Sequence, residues 1–217
     1  APRKVAQAVA GAAGVNLWRL EEPTLWYIVG LLALQVVGRE VFKRYGPFKD
    51  DAALFAHQLC SMFCIAHCAY WGIYFWFAEA GTIEDRLYGP SVGAVIIGQV
   101  NLAFQFYDLV ATLFVARLRK VEMVVHHALA TVMCYFLMRD CYVHYYAIFF
   151  LGISEVSSVP LVFVDVFKYF PDVGTRQGGK ANNLLRISFA LLFILVRVLY
   201  WPVIAGRHLW DTVGSVK

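Results

Sequence analysis

Six long apolar runs dominate the chain, at residues 24–42, 52–78, 90–116, 121–138, 142–167 and 184–206. A helix that crosses a bilayer needs about 20 mostly apolar residues, and each run reaches or approaches that length. Charges and helix breakers separate them: REVFKRYGPFKDD (39–51), EAGTIEDRLYG (79–89), ARLRKVE (116–122), RDC (139–141) and PDVGTRQGGKANN (171–183). The chain is 60% hydrophobic and only 16% charged. A soluble domain of this size could not hide so much apolar surface, so lipid must be the solvent for most of it. Period-two alternation is absent, which removes strands from consideration. The expected fold is all-α, a polytopic integral membrane bundle of about six transmembrane helices.

Charge and cysteine usage narrow the function classes. The net charge of +4 is scattered over loops without a basic block, so no nucleic-acid partner is expected. Cys60, Cys64, Cys68, Cys134 and Cys141 form no CxxC pair, which speaks for small buried thiols and against a disulfide scaffold or zinc ribbon. One HH pair cannot supply the clustered histidines of a di-iron desaturase, and neither a metal nor another cofactor is expected. Lys and Arg outside the runs number about 10 on the side of loops 1, 3 and 5 and about 7 on the side of the termini, which places the termini on the non-cytoplasmic side. The opening APRKVAQAVAGAAGVNLW is Ala-rich, basic and free of acids, as either Met removal or loss of a transit peptide would leave it.

Polar residues inside the runs are the more telling feature. In the third run Asn101, Gln105, Asp108 and Thr112 recur at helical spacing and form one stripe. A carboxylate within a membrane is costly and faces a bundle interior or a partner, so this face is expected to line a polar cavity. His57, Ser61, Cys64 and Cys68 make a similar stripe in the second run, with His67 and Trp71 at its border; His67 is deep in the span and His57 is expected near the surface.

VVHHALATV (124–132) adds two adjacent imidazoles. Neighbouring residues on a helix diverge by about 100°, so His126 and His127 cannot point the same way. His127 shares its face with Thr131 and Cys134, and His126 shares one with apolar Ala130, Met133 and Leu137. His127 is therefore the expected cavity-facing member. GISEVSSVP (152–160) places Glu155 and Ser158 ahead of a helix-kinking proline, and Arg197 lies in surroundings too apolar to leave it unpaired. Glu155, Asp165 and Asp108 are its candidate partners.

Taken in order, CSMFCIAHCAYWG (60–72), FQFYDL (104–109), EMVVHH (122–127), SEVSSVP (154–160) and LVRVLYWP (195–202) resemble the TLC-domain family, which includes ceramide synthases, translocon-associated members and lipid-homeostasis proteins. The resemblance divides the chain into an N-terminal extension (1–23), a first transmembrane helix and loop (24–49), a TLC-like membrane domain (50–211) and a tail (212–217). In the ceramide-synthase branch the histidine pair belongs to an acyltransferase site. SEVSSVP stands here where that branch carries a His-Asp motif, so the chain resembles the other branch more. The catalytic candidates are thus His127, His126 and Asp108, and the cavity-lining candidates are Ser61, His67, Asn101, Gln105, Thr131, Glu155, Ser158 and Arg197. The resemblance implies membrane lipid as partner, with acyl-CoA or a sphingolipid-like lipid as substrate, and the endoplasmic reticulum as location, an organellar (mitochondrial or plastid) inner membrane being the alternative. Binding, sensing or modifying a lipid is one expected function; a non-catalytic accessory subunit of a larger membrane complex is the other.

Overall fold

A computed structural model describes residues 21–45, 48–171 and 179–215, so most of the basic N-terminal segment and of the Gly-rich connection lie outside the described residues. Among the described residues, six helices are long and apolar enough to cross a membrane. They are α1 (Glu21–Arg44), α2 (Ala52–Ala78), α3 (Val92–Phe114), α4 (Val121–Asp140), α5 (His144–Tyr169) and α6 (Gly179–Gly214). No strand occurs among the described residues.

The helix ends follow from local chemistry. Asp51 accepts the Leu54 amide at the start of α2 (3.4 Å). Three of the amides that open α3 find side chains: Ala94 donates to Ser91 Oγ (2.9 Å), and Val92 and Gly93 donate to the two Glu79 carboxylate oxygens (2.8 Å each). A carboxylate at that position also complements the positive end of the helix dipole. The turn between α4 and α5 is tight, with Cys141 and Val143 at φ 51° and 55°. Such a backbone is costly for a β-branched residue, and neighbouring bonds hold it: Val143 N–H donates to Leu87 carbonyl (2.6 Å), while His144 accepts the Ser91 amide at Nδ1 (3.2 Å) and donates from Nε2 to Leu137 carbonyl (3.3 Å).

α2 is the centre of the bundle, packing on α1, α3 and α5; α3 also meets α1, α4 and α5, while α6 lies against α5. The apolar stretches of α2 and α3 are 56% and 61% buried, against 6% for α1, 17% for α4 and 6% for α6. The two helices carrying the polar stripes are therefore the interior ones, and the outer three offer their apolar faces to lipid. Where α2 crosses α5, Gly72 and Gly152 face each other so closely that a Cβ on either would meet the other's backbone. Small residues permit this approach of helices in a membrane.

Two helices are less regular than their hydropathy suggests. α5 passes through a π-helical turn (Ile148–Gly152) and a 3-10 turn (Ile153–Val156) before Pro160. α6 contains a π-helical stretch (Ile194–Tyr200) and runs for 36 residues, about 54 Å along its axis, well beyond a hydrocarbon core of about 30 Å. Its far end is tied down by Asp211, which accepts from Arg86 Nε (2.5 Å) and from the Tyr146 hydroxyl. The Asp211 carboxylate raises the pKa of the Arg86 guanidinium and keeps this latch charged.

Candidate functional site

α2, α3 and α4 each bring one ionisable group to a common point. The His57 ring donates from Nε2 to Asp108 Oδ1 (2.5 Å), and His127 Nε2 lies 3.2 Å from Asp108 Oδ2. One carboxylate thus joins two imidazoles from two other helices. All three residues are buried, with 6%, 6% and 5% exposure for His57, Asp108 and His127.

Depth explains the meeting. His57 is five residues after the first residue of α2, Asp108 six before the last of α3, and His127 six after the first of α4. Antiparallel helices joined by short loops place such positions level, about 8–9 Å below the loop ends. The cluster therefore lies toward one face of the membrane and not at its middle. His57 thus lies close to that face, yet it is buried within the bundle.

A second layer orients the cluster. His127 Nδ1 is 2.9 Å from Gln105 Oε1, and a Gln amide satisfies that nitrogen in either orientation, as acceptor or donor. The Tyr107 ring stacks on His57 (5.9 Å between centroids) and its hydroxyl donates to Gln35 Oε1 (2.8 Å). Ser61 and Thr131 return their hydroxyls to the carbonyls of His57 and His127 (3.0 and 2.7 Å). Cys134 donates to Asn101 Oδ1 (3.2 Å), closing the gap between α3 and α4 one layer deeper.

His57, Asp108 and His127, with Ser61, Asn101, Gln105 and Cys134, form the floor of a cavity of about 730 Å³ between α4 on one side and α5 with α6 on the other. His57, Ser61, Asn101, Gln105, Asp108, His126, His127, Glu155, Ser158 and Arg197 all line it. His67 does not: it lies ten residues beyond His57, about 15 Å along α2, with its ring against Trp71 (6.3 Å). Thr131 is also outside the lining and serves His127 through its backbone. Both members of the histidine pair border the cavity, in different ways. His127 is buried, hydrogen-bonded at Nδ1 to Gln105 and faces Asp108 with Nε2, whereas His126 is exposed, touches the His127 ring edge-on (5.0 Å) and has no hydrogen-bond partner among the described residues.

The far wall holds the second charged group. Arg197, in the π-helical stretch of α6, donates to Ser157 Oγ, Ser154 carbonyl and Ser158 Oγ (3.1 Å each) and lies 3.5 Å from Glu155 Oε1. Of its three candidate partners it takes Glu155. The irregular turns of α5 and α6 face each other here, as such turns often do at functional sites. His57, Ser157 and Asp165 are lining residues absent from the sequence-derived set. A signal for His57 was present in its equal depth with Asp108 and His127.

The family model described as the TLC domain matches residues 54–216. No curated protein and no solved structure matches the chain. The matched segment spans well over half the chain and includes α2 to α6, the helices that build the cavity, and the protein belongs to the TLC-domain family of integral membrane proteins.

Proposed function

We propose that this protein takes a membrane lipid into the cavity and carries out acyl-group transfer there. The observation that carries the reading is the sharing of Asp108 between His57 and His127 beside an unbonded, cavity-facing His126. A carboxylate needing only burial would be served by one partner; here it anchors two imidazoles beside a third that is free to meet a ligand. His126 is suited to take the proton from an acceptor hydroxyl or amine as that group attacks an acyl carbonyl, and to return it to the thiolate or alkoxide that leaves as the donor's acyl bond breaks. The Asp108 carboxylate would offset positive charge gathering on the imidazoles, an effect strengthened where water is excluded. Phe189, Phe193, Leu161 and Met133 supply an apolar wall for the acyl chain, and the cavity volume falls in the ordinary range for ligand sites.

The test is turnover by the purified protein in nanodiscs, offered acyl-CoA and phospholipid donors with amine and hydroxyl acceptors. His126→Ala should lower transfer at least about 100-fold while leaving co-purified lipid in place. Wild-type protein that retains lipid but transfers nothing across the panel would reduce the function to binding. A particle that retains no lipid and isolates only with foreign subunits would replace it with an accessory role.

A further inference from the structure

The cavity opens at the face where α2, α4 and α6 begin and α3 and α5 end, and three cations border it there: Arg117, Lys120 and Lys168. Arg117 is engaged by Asp51 (2.9 Å). Lys120 and Lys168 are exposed and form no ion pair among the described residues; the Lys168 ammonium rests 5.5 Å from the centre of the Tyr169 ring. Of the nearby charges, Asp165 interacts electrostatically with Lys168 without forming an ion pair. Arg119 donates to Leu113 carbonyl, Glu122 is exposed and outside the lining, and Asp165 lies about one turn deeper than Lys168. Two lysines from separate elements thus border one opening, and Lys120 stands seven residues before His127, about 10 Å along the axis.

A lipid whose chain fills the cavity leaves its head at this opening. We propose that the opening is a binding site for the phosphate of an anionic phospholipid, held by Lys120 and Lys168, with the lipid's acyl linkage descending toward Asp108. A phosphate offers several charged acceptor oxygens and can engage both ammonium groups at once, which a neutral head cannot. The inference rests on the lipid-handling reading above and adds a head-group preference to it.

Protein exchanged into nanodiscs of equal phosphatidylcholine and phosphatidylglycerol, then released gently for mass spectrometry of retained lipid, tests it. Wild type should retain the anionic lipid with a preference of about 25-fold, from two lysines each contributing about fivefold. Lys120→Gln/Lys168→Gln should abolish that preference. Arg44→Gln/Lys49→Gln removes the same charge from the same face outside the cavity lining and should leave it intact. Equal loss in both variants would show general surface attraction and overturn the site. Equal retention of both lipids by wild type would overturn the head-group preference and leave lipid handling standing, whereas retention of no lipid would overturn both. Preferential retention of added oleate would overturn phosphate as the ligand, and displacement of phosphatidylglycerol by inorganic phosphate would overturn the lipid head as its source.

Discussion

Asp108→Asn should leave the bundle folded and lower acyl transfer by roughly 100-fold or more. The substitution keeps size and shape but replaces one carboxylate oxygen with an NH₂ group. In the native cluster Oδ1 and Oδ2 each face an imidazole nitrogen, at 2.5 and 3.2 Å. An amide can accept from only one of them and turns a donor toward the other, so one ring must give up its proton at that nitrogen or turn away. The negative charge that would favour an imidazolium is lost at the same time. The stability cost should be about 1–3 kcal/mol, the usual penalty for a mismatched buried hydrogen bond. Turnover assayed beside a melting curve separates the two effects. Transfer within twofold of wild type in a folded Asp108→Asn protein would remove the cluster from the chemistry.

The second large effect belongs to the frame. Gly72→Ala should cost about 3 kcal/mol or more and sharply reduce the yield of monodisperse protein. The added Cβ would meet the Gly152 backbone and the Ile153 amide, and backbone cannot swing aside as a side chain can. Separating α2 from α5 would also pull the α5 wall away from the Asp108 floor. Gly30→Ala is the matched control, because a Cβ there meets nothing within 4 Å. Its melting temperature should be unchanged or slightly higher, since Ala is the better helix former. Equal behaviour of the two variants in a thermal melt would contradict the close α2–α5 crossing.

Much of this architecture was legible in the chain. Hydropathy located all six spans, and the expected run at 52–78 coincides with α2. The stripe spacing identified the inward face of α3, because an interior helix buries polar residues on one side only. The π-helical turns of α5 and α6 left no such trace. Hydropathy reports what surrounds a residue and not how its backbone bonds are counted, so the facing of Glu155 and Arg197 could be suspected only from their charges. His57 and His67 show the same limit from the other side. Both lie on or beside one stripe of α2, and depth relative to α3 decides which reaches Asp108. The apolar face that His126 shares with Ala130 and Met133 borders the cavity as well, because α4 packs mainly on α3 and leaves that flank open.

The most direct test is a density map of the protein in lipid nanodiscs, with a rigid antibody fragment to aid alignment. The Asp108 carboxylate should lie within hydrogen-bonding distance of both His57 and His127, with elongated lipid density between α4 and the α5–α6 wall. Asp108 and His127 turned toward separate outer surfaces, with acyl tails or another subunit between them, would contradict the shared site.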